Sequence, residues 1–205
     1  EIISQTGGHI GVNLGVVELT VALYRVFDFP KDSLIWDIGH QIYIQKMLTG
    51  RLDKLREIRK NGGSPGYAFS DESDYERVTS SHAGASFSLA LGVALANAMD
   101  QNPAMSVAVI GDGAFVEGST QEALNHLAVE KCKMLIVLND NEMALDNNYG
   151  GLHEYFKSRQ IGESAEESYF SSLGIPYEGP INGHDVQALV EKLTDLKDRI
   201  TEPTV

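Results

Sequence analysis

Two apolar runs of the sequence end in oxygen-bearing side chains that could hold a hard metal ion. One ends in Gly-Asp-Gly at 111–113 and the next in Asn-Asp-Asn at 139–141. Asp112 and Asn141 are 29 positions apart, which suits one strand–helix–strand unit whose parallel strands end at the same edge of a sheet. Mg²⁺ takes few ligands from protein and the rest from phosphate and water, so the pattern predicts a metal–phosphate site. The two glycines around Asp112 are expected to supply unusual dihedrals and a close backbone approach.

Three histidines, His9, His40 and His82, each lie in or beside a loop of glycine or serine. Any one of them alone is explained as a loop histidine that local hydrogen bonds satisfy. Three at similar positions favour a polar pocket that donates hydrogen bonds to phosphate or to a developing oxyanion. Their spacing does not match a zinc site.

The elements that must position these residues alternate between strand and helix, which predicts a parallel β-sheet flanked by helices, an α/β fold. Strands are expected at 34–38, 107–110, 134–138 and 175–177. Helices are expected at 14–27, 41–49, 52–60, 83–99, 151–158, 165–173 and from about 186 to 199. The polar stretch 60–81 is expected to be an ordered loop.

Two of these helices carry more specific expectations. In helix 14–27 the apolar stripe is expected to contain Leu14, Val17, Val21 and Tyr24. Helix 83–99 is rich in small residues and is expected to begin directly after His82. Its free N–H groups and positive dipole would then be available for phosphate.

The composition narrows the class of protein. The 205 residues carry a formal net charge of −13, which argues against a nucleic-acid partner because no basic patch is present. No apolar run is long enough to predict a membrane span. The single Cys132 fits a reducing compartment, and a cytoplasmic location is expected. The first and last residues read as the middle of a helix and the start of a strand, so one domain, truncated at both ends, is expected over 1–205.

A family resemblance covers almost the whole chain. The segments GGHIGVNLGVVELTVAL, LIWDIGHQIY, KMLTGRLDK, ESDYERVTSSH, GDGA, EALNH, VLNDNEM and GPINGHD resemble the 1-deoxy-D-xylulose-5-phosphate synthases. These are thiamine-diphosphate-dependent transferases of the transketolase superfamily that serve isoprene and thiamine biosynthesis. The resemblance implies a thiamine-diphosphate-binding fold and a reaction that joins pyruvate, after loss of CO₂, to glyceraldehyde 3-phosphate.

The resemblance also implies a role for each matching residue. Mg²⁺ is bound by the side chains of Asp112 and Asn141 and by the backbone carbonyl of Met143. The cofactor is contacted by His40, Ser81, His82, Ala83, Gly111, Asp112, Gly113, Ala114 and Asn141. His9, His40 and His82 are the catalytic candidates, and His9 faces the reacting centre. The glutamate that activates the cofactor belongs to a further domain, so this chain alone is expected to be inactive and to act as a homodimer or with a chain that carries the missing domains.

Several departures from the family pattern keep two alternatives open. Glu117 stands where the synthases usually lack a glutamate and transketolases have one at the dimer interface, together with Glu122. Both could also be ordinary charges on the surface and at the N-terminus of a helix. The stretch between Asn148 and Tyr169 is shorter than in the synthases. One alternative is the N-terminal subunit of a split transketolase-like enzyme, and the other is a non-catalytic module that binds cofactor or a partner.

Overall fold

The computed structural model describes residues 1–141, 148–158 and 168–205. Within these ranges three strands, β1 (Ser33–Trp36), β2 (Ser106–Gly111) and β3 (Met134–Asn139), form one parallel sheet in the order β1-β2-β3. The helices are α1 (Ile2–Thr6), α2 (Ile10–Leu14), α3 (Val17–Val26), α4 (Tyr43–Leu48), α5 (Leu52–Arg56), α6 (Ser86–Met99), α7 (Asp112–Phe115), α8 (Gly118–Leu127), α9 (Gly151–Ser158), α10 (Tyr169–Ser172) and α11 (Val186–Arg199). The predicted α/β class with a parallel sheet is confirmed.

The sheet separates two apolar cores because successive side chains of a strand point to opposite faces. In β2, Val107 and Val109 join the core beneath α3 and α11, whereas Ala108 and Ile110 join the core beneath α6 and α8. All four side chains are fully buried. The continuous apolar run is therefore the signature of a central strand covered on both faces.

The first long helix differs from its prediction. A break at Gly15–Val16 separates α2 from α3, and Leu14 and Val21 are exposed, at 64% and 37%. The buried face of α3 instead contains Leu19, Thr20, Ala22 and Leu23, together with the preceding Val16. The turn at Gly15 changes the helical phase between Leu14 and Val17. Within α3 the buried face follows Val16, Leu19 and Leu23, and not the predicted Val17 and Val21.

The predicted strand 175–177 is not a strand of the sheet. The segment is extended, and it pairs with the last residues: the Val205 amide donates to the Pro176 carbonyl at 2.9 Å, and the Glu178 amide donates to the Val205 carbonyl at 2.8 Å. Thr204 in turn forms a parallel bridge with Leu135 of β3. The β character of both segments was read correctly, but each pairs over too few residues to extend the sheet.

Candidate functional site

Asp112 lies at the carboxyl end of the central strand, where β2 runs into the short helix α7. The register pairs Gly111 of β2 with Asn139 of β3, so the two motifs lie at one edge of the sheet as predicted. The Asp112 side chain is buried, at 5% exposure. The expectation of unusual glycine dihedrals is wrong: Gly111 is extended, with φ −82° and ψ 155°, and Gly113 lies within α7.

The Asp112 carboxyl is held in an environment that disfavours its charge. Burial raises its pKa, the hydrogen bond from Asn148 Nδ2 to its Oδ2 at 3.1 Å lowers it, and the charge of nearby Asp140 raises it further. The outcome is a raised pKa. A divalent cation placed here would stabilise the charged form and offset the cost of burial.

The other predicted metal ligands follow β3. Asn141 is exposed at the end of that strand, and Met143 lies outside the described residues. Among the described residues no three His, Cys, Asp or Glu side chains form a group that could hold a metal ion. A metal at Asp112 would therefore depend on amide, carbonyl and phosphate oxygens, which is the donor set of a Mg²⁺ site with few carboxylates.

His9 and His40 are brought into contact from two different loops. His9 precedes α2 as its N-cap, and His40 follows β1. Their ring centroids are 5.2 Å apart with an interplanar angle of 76°, and the Tyr67 ring contacts His9 at 5.6 Å. The Tyr43 hydroxyl lies 3.2 Å from the His9 amide, which donates to it, and 3.4 Å from His9 Nδ1.

Both imidazoles are biased toward the neutral form. Burial, helped by the neighbouring His9, lowers the pKa of His40 to about 4, although Asp37 opposes the shift. Burial, followed by the charge of Arg59, lowers the pKa of His9. At neutral pH each ring therefore offers one N–H donor and one acceptor nitrogen. Nδ1 of His40 is buried and has no hydrogen-bond partner among the described residues. This nitrogen is therefore available to a donor or acceptor group of a ligand.

His82 occupies a different environment from the other two histidines. Ser81 and His82 are exposed, Ala83 is half-buried, and among the described residues no ring contact joins His82 to either His9 or His40. The segment nevertheless lies at the same edge of the sheet, because Ser80 packs beside Gly39. A Cβ atom on Gly39, whose φ is +80°, would lie 2.8 Å from the Ala68 amide nitrogen.

The start of α6 differs from its prediction. The helix begins at Ser86 rather than directly after His82, and the turn before it is fixed by the carboxylate of Asp37, the residue that follows β1. Asp37 Oδ1 accepts from the Gly84 amide and Oδ2 from the Ser86 amide, both at 2.9 Å, within the buried interior. The expected phosphate position on these amides is thus occupied by the protein itself. Asp37 was missed because its partner lies 47 residues away in sequence.

Asn13 is a second residue that the sequence analysis missed. It is 4% exposed and hydrogen-bonds to the loops that carry His9 and His40. The available signal was a single amide within the otherwise apolar segment 10–17.

The small residues of α6 predicted close packing only in part, since Ala90 and Ala94 are buried but Gly92 and Ala96 are exposed.

The loop 60–81 is ordered as predicted, and buried polar contacts add to the ring contacts of Tyr67 and Tyr75. Lys46 of α4 is fully buried and donates to Glu72 at 2.7 Å, to Ser64 at 2.9 Å and to the Tyr67 carbonyl at 3.1 Å. Arg51 forms a bidentate pair with Glu76, with both N···O distances at 2.6 Å. This network fixes the loop that places Tyr67 against His9.

Comparison with known proteins identifies the family. A family model described as 1-deoxy-D-xylulose-5-phosphate synthase matches residues 1–168 and 162–205. The chain belongs to the 1-deoxy-D-xylulose-5-phosphate synthase family. The synthase of Methylibium petroleiphilum is 40% identical over 230 residues, and that of Clostridium botulinum is 37% identical over 234 residues. The alignments cover 96% and 97% of this chain but only 36% and 38% of those synthases, so the chain spans little more than a third of their length.

The same comparisons bear on the stretch that was expected to be short. The first alignment extends over 230 residues, whereas this chain has 205, so the relative contributes at least 25 positions (230 − 205 = 25) that are missing here. The family model is matched in two parts that meet at 162–168. The boundary between the two matched parts lies within the predicted interval from Asn148 to Tyr169, which favours that interval as the position of the missing residues.

Solved structures support the fold independently. Transketolase from Leishmania mexicana superposes with a TM-score of 0.78 at 22% identity, covering 99% of this chain and 33% of its own. A transketolase from Pichia stipitis, solved with sedoheptulose 7-phosphate, gives a TM-score of 0.81 at 19% identity with the same coverage. At these identities the likeness concerns the fold. No helix among the described residues is long and apolar enough to cross a membrane.

Proposed function

We propose that this chain is the diphosphate-binding part of an enzyme that joins pyruvate, with loss of CO₂, to glyceraldehyde 3-phosphate by means of thiamine diphosphate and Mg²⁺. The observation that carries the proposal is the register of Gly111 with Asn139, which sets Asp112 and the segment leading to Asn141 at one sheet edge in a member of the synthase family. The cofactor supplies the carbon centre that adds to the substrate carbonyl. The protein supplies binding, orientation and proton handling.

The metal would be held by Asp112, Asn141 and the Met143 carbonyl, with diphosphate oxygens as the remaining ligands. The buried Asp112 carboxyl, whose pKa is raised, fits this role because a cation would stabilise its charged form. Gly111, Gly113 and Ala114 provide backbone next to that carboxylate. The diphosphate would then lie over the β2–α7 junction and not on the amides at the start of α6, which Asp37 fills.

The histidines would act on the other side of the cofactor. His40 offers a buried Nδ1 without a partner, and the adjacent His9 can donate to an oxyanion or move a proton because both rings are biased toward the neutral form. Ser81, His82 and Ala83 would contact the cofactor from the segment before α6. Exposure of Ser81 and His82 leaves those side chains accessible to a ligand.

The complete enzyme would be a homodimer, or a complex with a chain that carries the domains present in its longer relatives. Glu117 favours the second arrangement. It is exposed as the N-cap residue of α8 and forms no side-chain capping bond, so its carboxylate remains available for a partner surface. Cys132 is a free buried thiol, which suits the reducing cytoplasm in which we place the reaction.

Calorimetric titration of the complete enzyme with thiamine diphosphate, with and without Mg²⁺, tests the proposal. We expect Asp112→Ala to remove the Mg²⁺-dependent part of cofactor binding, whereas Asp100→Ala, an exposed position at the end of α6, should leave it unchanged. Cofactor affinity that is equal in wild type and Asp112→Ala would overturn the site. Binding without formation of the five-carbon product from pyruvate and glyceraldehyde 3-phosphate would overturn the reaction.

A further inference from the structure

The side chain of Asn13 lies between the two loops that carry His9 and His40. Its Nδ2 donates to the His9 carbonyl at 2.7 Å and to the His40 carbonyl at 2.9 Å, while its Oδ1 accepts from the Tyr43 amide at 2.9 Å. A carboxamide has two N–H donors and one oxygen acceptor, so these bonds fix which end is nitrogen. At 4% exposure, water cannot readily replace them.

These bonds connect segments that are distant in sequence. His9 precedes α2, His40 follows β1 and Tyr43 begins α4, and the three meet around one amide. Tyr43 extends the arrangement, because its own amide is held by Asn13 while its hydroxyl contacts His9. The separation of 5.2 Å between the two imidazole centroids is therefore set through backbone atoms that Asn13 holds.

We propose that Asn13 is a positioning residue that sets the distance and orientation of the His9 and His40 rings. It does not itself face a substrate, since its three contacts are all with the backbone of this chain. The catalytic consequence rests on the proposed function, because it assumes that the two rings act on a bound cofactor and substrate. The geometric statement stands without that assumption.

Asn13→Ala removes all three hydrogen bonds, and Asn13→Asp keeps the shape and the oxygen that accepts from Tyr43 but replaces the donor. A carboxylate oxygen beside the His9 and His40 carbonyls is repulsive, so both variants should release the two loops from each other. Asn97→Asp is the matched control: Asn97 donates to the Ala104 carbonyl at 3.3 Å near the end of α6. Asn13→Asp keeps the test valid if the alanine variant does not fold.

The first measurement is the nuclear Overhauser effect between ring protons of His9 and His40 in the 205-residue chain, which requires no turnover. We expect the cross-peak in wild type and Asn97→Asp and its loss in the Asn13 variants. The second is kinetics of the complete enzyme at saturating cofactor, where kcat should fall roughly 10- to 100-fold, as misplacement of reacting groups by about 1 Å does.

The outcomes separate the proposal from a merely structural role and from the proposed function. An intact cross-peak in a folded Asn13 variant, with unchanged kcat and only a lower melting temperature, overturns the positioning role. Loss of the cross-peak in an enzyme that never turns over the two substrates supports the geometric role while overturning the proposed reaction. Loss of both the cross-peak and kcat, with the Asn97 control unaffected, is the result we expect.

Discussion

The Asp37 carboxylate accepts a hydrogen bond from the Gly84 amide in the interior of the protein, with an N···O distance of 2.9 Å. The two residues are 47 positions apart in the sequence. The second oxygen of that carboxylate accepts the Ser86 amide at the same distance. Asp37 is only 2% exposed, and its negative charge is stabilised by these donors and by the positive end of α6. One carboxylate therefore joins the end of β1, which leads to His40, to the segment that carries Ser81 and His82.

Replacing Asp37 by alanine should lower the free energy of unfolding by about 2–4 kcal/mol, since two buried amides lose charge-assisted hydrogen bonds. Asp185→Ala is the control, because Asp185 accepts the Ala188 amide as an exposed N-cap of α11 and should cost only about 1 kcal/mol. Urea denaturation of both variants measures the difference. Equal losses would show that burial of Asp37 adds nothing to the stabilisation that its hydrogen bonds provide.

Gly39 and Gly50 form a second matched pair. Both have positive φ, at +80° and +77°, but a Cβ atom on Gly39 would lie 2.8 Å from the Ala68 amide nitrogen, whereas Gly50 has open space around it. Gly50→Ala should cost roughly 1–2 kcal/mol of backbone strain. Gly39→Ala carries the same strain and a backbone clash next to His40, so we expect a larger loss of stability and weaker cofactor binding. Thermal unfolding and calorimetric titration of both variants test this. Equal melting temperatures and equal cofactor affinities in the two variants would contradict it.

The sequence predicted those features that depend on local pattern. β2, β3 and α11 were read correctly because a buried central strand is apolar throughout and an amphipathic helix repeats every 3.6 residues. The adjacency of Gly111 and Asn139 followed from the spacing of one strand–helix–strand unit. Each of these inferences uses information within about thirty residues.

The features that were missed depend on long-range hydrogen bonds. Nothing local to Asp37 shows that its carboxylate accepts hydrogen bonds from the Gly84 and Ser86 amides, so the start of α6 was placed too early. Nothing local to Asn13 shows that it holds His40, which is 27 residues away. Hydrophobic periodicity and composition predict which residues are buried, but no local sequence pattern predicts a polar contact between distant loops.

Acid should destabilise the protein through His40. The pKa of His40 is lowered from 6.5 to about 4 by burial, so between these values the unfolded chain binds a proton that the folded chain does not. Stability then rises with pH, and lowering the pH from about 6.5 to about 4 removes about 2–3 kcal/mol. Urea denaturation at several pH values in this range should show that the free energy of unfolding of His40→Gln changes less with pH than that of the wild type. The same slope in both proteins would mean that His40 does not titrate as described.

His9→Ala should reduce turnover more than cofactor affinity. The half-buried ring of His9 contacts the rings of His40 and Tyr67, and in the proposed function it moves a proton, which contributes to the rate and not to binding of the diphosphate. We expect kcat of the complete enzyme to fall roughly 100-fold or more, with little change in the Kd for thiamine diphosphate. His126→Ala, in an exposed pair with Glu130, is the control. A large loss of affinity with kcat preserved would reverse the assigned role.

The buried ion pair of Lys46 and Glu72, at 2.7 Å, should contribute far more to stability than the exposed pair of Lys31 and Asp28, at 2.6 Å. Lys46→Met keeps the aliphatic stem but removes the ammonium group 2.7 Å from the Glu72 carboxylate, which is left with only the longer contact to Arg51 at 3.6 Å. We expect a loss of about 3–5 kcal/mol in the free energy of unfolding. Lys31→Met removes the partner of Asp28, and because both side chains are exposed the urea midpoint should stay close to that of the wild type.

The double variant Lys46→Met/Glu72→Gln measures how strongly the two charges of the pair are coupled. Removing both charges should recover part of the stability that Lys46→Met loses, because the cost arises mainly from a buried carboxylate that has lost its nearest cation. Full additivity of the two single losses in chemical denaturation would refute that coupling. Since Lys46 also donates to the Tyr67 carbonyl, recovery of stability without recovery of kcat would show that the loop must be held at Tyr67 for His9 to act.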